Sequence, residues 1–278
     1  MLNLLTVVGE NIHMLPHMIK HYKENIGVDN VFVVVYKQEN DDNIVNKILD
    51  LGIQPYAVYT HRKYDWAQVT KIYNEVKSSR PNDWWIISDD DELQLYPEPI
   101  DDIIKTCERK NYSFVTGGFL DRVGKNGTFP IVTPDSDIHE LFPNAGWFRY
   151  ILSSSNMNKC TLSKGSLHVT PGQHYAEFAD GSNSWGKSHP SRYPTQECFA
   201  QVHHFKWDNS CIERIKKVAD LNQDYAYSEE YKRLYDNLKL NNFKIDLNNK
   251  NFLFEEIKHF NYNSYYNWDK VRRLTIKM

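Results

Sequence analysis

The chain has 278 residues, of which 41% are hydrophobic and 25% charged, with a formal net charge of −3. These are ordinary globular proportions, and area scaling has a chain of this length burying about three quarters of its extended surface, so a sizeable core needs neither disulfides nor metal. A slightly acidic chain has no global attraction for nucleic acid or anionic lipid, so no nucleic-acid partner is expected.

The first half alternates strand and helix signals. Leu4 to Val8 is a short apolar run ending at Gly9. Met14, Leu15, Met18, Ile19 and Tyr22 recur at helical spacing, with Gly27 as a stop. VFVVVY from Val31 to Tyr36 predicts a strand buried on both faces. A helix follows over Asn43 to Leu51, a strand over Pro55 to Tyr59, and a helix from Trp66 to Ser78 that Pro81 closes. Trp84 to Ser88 (WWIIS) gives a fourth strand, and a helix near Ile100 to Arg109 comes next. This βαβαβαβ order predicts a parallel sheet with right-handed crossovers and ligands at the carboxyl ends of the strands.

After Ser113 the pattern changes. Ser113 to Gly118 reads as a strand, and Gly124 with Asn126-Gly127 in DRVGKNGT predicts a hairpin from Asp121 to Thr128. Residues 130 to 200 are rich in Pro, Gly, Ser and His, with a short strand at Ser166 to Thr170; loops of this kind carry binding residues. Two helical patterns return between Cys211 and Leu240, and Phe252 to Met278 is an aromatic and basic tail. No repeat or linker divides the chain, so one domain is expected. Cys107, Cys160, Cys198 and Cys211 form no C-x-x-C pair and read as a reduced, cytosolic set. The opening residues lack a basic region before the apolar run, and no run of 18 apolar residues exists; a cytoplasmic protein is expected.

The most informative stretch is Trp84 to Leu93, where a buried strand runs into Asp89-Asp90-Asp91-Glu92. In extended chain Asp89 and Asp91 would face one way and Asp90 the other. Two carboxylates about 6 Å apart repel by roughly 3 kcal/mol at an effective dielectric of 20. A divalent cation held by carboxylate oxygens removes that cost, and Mg²⁺ or Mn²⁺ suits such a site. A solvated acidic turn is the plain alternative, and the position at the ligand-binding edge of a parallel sheet favours the metal.

The cluster resembles the D-x-D-E motif of GT-A-type glycosyltransferases of the family 2 kind. Glu10-Asn11 with Leu15 and His21-Tyr22, Gly27-Val28-Asp29, VFVVVY, the DR-V-G-x-x-G segment from Asp121, Gly172-Gln173-His174 and His203-His204-Phe205-Lys206 are similar in the same order, over residues 1 to about 215. The resemblance implies an α/β, GT-A-like, Rossmann-type mixed sheet flanked by helices, with C-terminal helices. Residues 1–215 would form the nucleotide-sugar and acceptor-binding catalytic domain, and 216–278 a helical extension with its tail packed on that domain. Asp89 and Asp91 would bind a divalent metal that bridges the donor's two phosphates, Mn²⁺ in preference to Mg²⁺ because a histidine joins the set. Asp90 would face the ribose or the donor sugar, and Asn11 lies on the nucleotide side, where the family usually reads N-E.

His203 and His204 would face opposite ways in a strand, and the resemblance favours His204 as metal ligand and Lys206 on the diphosphate. His174 would close over the donor or touch the acceptor; a plain turn is the alternative. An inverting transferase needs a carboxylate to take the acceptor's proton. Asp121 stands first for that role and Glu177 second, an ion pair with Arg122 being the structural alternative for Asp121. The tail's aromatics and bases, from Phe260 to Lys277, read as packing on the domain, or as a peripheral contact with the cytosolic membrane face near a lipid-linked acceptor.

Together these imply a metal-dependent transferase that moves a sugar from a nucleotide-sugar, a UDP-sugar first, to a saccharide or lipid-linked saccharide acceptor in surface-glycan assembly. The rival readings are a metal-dependent phosphodiester hydrolase or nucleotidyltransferase, and a non-catalytic carbohydrate-binding protein.

Overall fold

A computed structural model describes residues 1–10, 12–41, 43–148, 158–184, 189–220, 228–248 and 252–256. The first half runs β1 (Leu2–Val8), α1 (Leu15–Lys20), β2 (Asn30–Gln38), α2 (Asn43–Asp50), β3 (Ala57–His61), α3 (Trp66–Ser78), β4 (Trp84–Ile87), β5 (Glu92–Leu95), α4 (Ile100–Lys110) and β6 (Phe114–Val123). The second half runs α5 (Ile138–Leu141), β7 (Asn144–Phe148), β8 (Asn158–Lys164), β9 (His168–Val169), β10 (Ala176–Glu177), β11 (Ala200–His204), α6 (Cys211–Asp220), α7 (Ser228–Leu240) and β12 (Phe252–Glu256). These elements form two compact units. The first holds residues 1–118 and 158–202, and the second 119–148, 203–220, 228–248 and 252–256.

The first unit is built on a mixed sheet flanked by helices. Its parallel part has the order β3-β2-β1-β4, with Leu4 opposite Val31 and Leu2 opposite Trp84. β8 lies antiparallel to β4, and β6 antiparallel to β8. The β-branched run of β2 is buried along most of its length, as a strand covered on both faces requires. Leu5, Val34, Ile72, Trp85 and Phe114 meet in the core between this sheet and α3. The predicted parallel crossovers are all present.

The first helix ends at Gly27 as expected, its last part, His21–Ile26, being π-helical and burying Tyr22 and Ile26. Three local details differ from the sequence expectation. The third strand starts at Ala57 rather than Pro55, because proline has no N–H for the ladder. The acidic run is followed by a strand, β5, that the expected helix signal at Ile100 overshadowed. DRVGKNGT makes no hairpin. β6 continues through Val123, a short 3₁₀ turn covers Lys125–Gly127, and the antiparallel partner of β6 is β7, with Asp121 opposite Gly146.

The second unit pairs the end of β6 with β7, and β7 with β12. Its core joins Val123, Trp207, Cys211 and Ile215 to Leu234, Leu238 and Ile245, so that α6 and α7 bury their apolar stripes together. Gly127 explains the 3₁₀ turn: its φ is +74°, and a Cβ there would lie 1.9 Å from the Ile245 carbonyl oxygen. All four cysteines are buried, and none forms a disulfide among the described residues.

Candidate functional site

The acidic run of the first unit is a tight turn rather than extended chain. The Glu92 N–H donates to the Asp89 carbonyl at 3.0 Å, which puts Asp90 and Asp91 at the two corners. The face-by-face alternation of the three aspartates therefore does not apply. Buried hydroxyls brace the turn from beneath. The Ser88 hydroxyl donates to the Glu92 carbonyl at 2.9 Å, and Tyr22, reaching over from the π-helical segment, lies 2.9 Å from Ser88 and accepts the Gln94 N–H at 3.0 Å. The three aspartates are partly buried, whereas Glu92 is 1% exposed.

Both carboxylate oxygens of Asp89 are engaged. Tyr73 on α3 donates its hydroxyl to Oδ1 at 3.0 Å, and Gln173 Nε2 reaches the same oxygen at 3.4 Å. Burial, and then the charge of Asp89, push the Tyr73 phenol well above its ordinary pKa. Lys159 on β8 sits 3.6 Å from Oδ2, and its Nζ bonds Glu92 Oε1 at 2.8 Å and Gln173 Oε1 at 2.8 Å. Burial works to lower the pKa of Lys159, but the charges of Glu92, Asp89 and, least of the three, Asp91 outweigh it and hold the ammonium above its ordinary value.

This donor set decides how a divalent ion fits. With Lys159 Nζ 3.6 Å from Asp89 Oδ2, an ion at a coordination distance of about 2.1 Å on that oxygen would lie within roughly 6 Å of the ammonium. The repulsion would be of the order of 6 kcal/mol at an effective dielectric of 20. That repulsion opposes an ion on Asp89, and the charges of Glu92 and Asp91 offset part of it. Asp91 stands at a corner of the turn and is partly buried. Among the described residues no group of three or more His, Cys, Asp or Glu is arranged to hold a metal ion.

The loop after β9 is tied to the same turn. Pro171–Gln173 forms a short 3₁₀ turn in which Gly172 has φ +68° and Gln173 φ +53°, a conformation that a non-glycine residue rarely adopts. The two bonds of the Gln173 amide, to Lys159 and Asp89, hold it there. His174 donates Nδ1–H to the Asn158 carbonyl at 2.9 Å, since a carbonyl can only accept, so Nε2 carries the lone pair. Burial, and next the charge of Lys159, lower its pKa to about 4. A Cβ on Gly172 would come 2.7 Å from that Nε2, so glycine is required both for φ and for room.

Glu177 lies on β10 opposite His168 in the same unit. At the carboxyl ends of β2 and β3, Tyr36, His61 and Tyr64 form a second feature, with ring centroids 4.3 Å apart for Tyr36 and His61 and 6.0 Å for Tyr36 and Tyr64.

In the second unit Asp121 lies within β6, not beyond its end. Its Oδ1 accepts from His204 Nδ1 at 3.0 Å and from Trp207 Nε1 at 2.8 Å. His203 is buried and takes a bond from Arg122 at 3.2 Å, so the two histidines do face opposite ways. Arg122 also donates to the Phe142 carbonyl. Lys206 is held by the Tyr231 hydroxyl at 2.6 Å, with its ammonium over the Tyr231 and Trp207 rings.

The structure thus gathers Asp89, Asp90, Asp91 and the loop of His174 in the first unit, and Asp121, His204 and Lys206 in the second. Asn11 and the tail from Phe260 to Lys277 lie outside the described residues. Sequence reasoning missed Tyr73, Lys159 and Gln173. Gln173 stood inside a quoted triplet, but nothing in the sequence marks Lys159, which reads as an ordinary surface lysine before a strand. No described helix is long and apolar enough to cross a membrane.

The sequence matches no protein-family model and no curated protein. Solved structures similar to the chain include a Bacillus anthracis protein assigned as a glucose-1-phosphate thymidylyltransferase, in complex with sucrose, at 8% identity and a TM-score of 0.30, covering 100% of this chain and 96% of that one. A 4-diphosphocytidyl-2C-methyl-D-erythritol synthase matches at 12% identity and a TM-score of 0.31, covering 59% of this chain and 75% of that one. TarS of S. aureus matches at 10% identity and 0.31, covering 85% of this chain and 43% of that one. TM-scores this low do not establish a shared fold.

Proposed function

We propose that the chain is a glycosyltransferase, hexosyltransferase-like, which takes a sugar from a nucleotide-sugar, a UDP-sugar in first place, and passes it to a saccharide or lipid-linked saccharide. One observation carries the reading: three partly exposed aspartates stand on a braced turn at the carboxyl end of β4, in a sheet whose first four strands run parallel. That edge is where open α/β sheets take their ligands. Asp89, Asp90, Asp91 and Glu92 outnumber the single ammonium of Lys159, so the turn is net negative and a diphosphate needs a cation to settle there. The proposal places that ion, Mn²⁺ or Mg²⁺, on Asp91, since the histidine that favoured Mn²⁺ is bonded to Asp121. When bound, it would neutralise charge on the departing diphosphate. Asp90 faces the ribose or sugar in this reading, and the neutral His174 offers Nε2 as an acceptor for a sugar hydroxyl.

A thermal-shift panel of UDP, GDP, CMP and ADP, each with and without Mn²⁺, tests the proposal. A ligand at 100 times its dissociation constant stabilises by about 2.7 kcal/mol, which moves the midpoint by a few degrees. The expected result is a Mn²⁺-dependent shift with one nucleotide that Asp91→Ala abolishes. No shift with any nucleotide contradicts the reading.

A further inference from the structure

We propose that Lys159 is a resident cation of the acidic turn and its positioning residue, committing Asp89 and Glu92 to hydrogen-bonding roles rather than to ion binding. The proposal rests on the transferase reading for the identity of the ligand, and on geometry for the rest. An ammonium has three N–H donors. Lys159 Nζ has three acceptors around it: Glu92 Oε1 at 2.8 Å, Gln173 Oε1 at 2.8 Å and Asp89 Oδ2 at 3.6 Å. The Lys159 side chain is 3% exposed and that of Glu92 1%, whereas Asp89 is 43% exposed, so the lysine meets the turn from the protein side and solvent from none.

The Gln173 amide closes a ring. Its oxygen accepts from Lys159, and its Nε2 returns to Asp89 Oδ1, the oxygen that Tyr73 also holds. Four elements therefore converge on one cation: β8 with Lys159, the β4–β5 turn with Asp89 and Glu92, α3 with Tyr73, and the 171–173 loop with Gln173. The left-handed backbone of Gln173 is held here by bonds at both ends of its amide. The lysine occupies the place where a two-carboxylate ion site would otherwise form from Asp89 and Glu92.

Mn²⁺ binding measured by electron paramagnetic resonance, with and without UDP, tests this without any turnover. In the wild-type background Asp89→Asn should leave Mn²⁺ affinity within about twofold, and Asp91→Asn should lower it at least tenfold. Lys159→Met should tighten Mn²⁺ binding about tenfold, and the gain should vanish in the Lys159→Met, Asp89→Asn double variant. A merely structural lysine would not yield a tighter ion site on removal. A tenfold loss from Asp89→Asn in the wild-type background would overturn the proposal, and this comparison decides alone if Lys159→Met does not fold. A wild type that binds neither UDP nor Mn²⁺ contradicts the transferase reading instead. Lys159→Met still gains a Mn²⁺ site in that case if the proposal holds, and gains none if it fails.

Discussion

His21 makes two bonds that only one neutral tautomer can satisfy. Nε2–H donates to the Gln94 carbonyl at 2.8 Å, and Nδ1 accepts from the Asn25 amide at 3.3 Å. Protonation at Nδ1 would break the second bond inside a buried site, and burial lowers the pKa from 6.5 to about 4 despite the bond to Gln94. The unfolded chain then takes up a proton near pH 6.5, while the folded one resists until about pH 4. Stability present above pH 6.5 is lost as the pH falls through that window, by roughly 2 kcal/mol at pH 4.5. Urea unfolding at pH 7 and at pH 4.5 should therefore show His21→Gln losing about 2 kcal/mol less than the wild type between the two; equal losses would show that the group does not titrate this way. Asp121 teaches a related lesson. Its neighbour Arg122 suggested an ion pair, but the arginine is spent on Phe142 and His203, and the carboxylate serves His204 and Trp207. Neighbours in sequence point to opposite sides of a strand, so the partner came from elsewhere.

Among elements, the clearest dependence on one residue is the turn after β6. Gly127 combines a φ of +74° with a Cβ position 1.9 Å from the Ile245 oxygen, and its own carbonyl accepts the Ile245 N–H at 2.8 Å. Gly127→Ala should cost at least about 3 kcal/mol in urea denaturation, because strain and lack of room add. Gly127→Asn should be no better, since asparagine tolerates the φ but still carries a Cβ; rescue by asparagine would show that space is not the limit. The same segment shows where sequence reading stops. Asn126-Gly127 did mark a turn, but whether the chain returns as a hairpin depends on which strand lies beside β6, and β7 begins only at Asn144. The VFVVVY strand and the WWIIS strand were legible because burial on both faces leaves a continuous apolar run. β5 was not, because ELQL buries a glutamate and a glutamine through Lys159 and the Ile87 carbonyl, which a hydropathy pattern does not see.

For the molecule as a whole, the parallel order of β1 to β4 and the place of the acidic run at the carboxyl edge follow from periodicity and motif position. The chemistry at that edge does not. Lys159 lies seventy residues beyond Asp89, and the 171–173 loop farther still, so the counter-charge that recasts Asp89 is supplied by the fold of the first unit and by no local signal. In the proposed function the turn binds a nucleoside diphosphate through Asp91. Isothermal titration of UDP in the presence of Mn²⁺, wild type beside Asp91→Ala, tests it most directly. UDP should bind the wild type and bind the variant at least tenfold more weakly, a difference of about 1.4 kcal/mol or more, with circular dichroism unchanged. Equal affinities in the two proteins would contradict it.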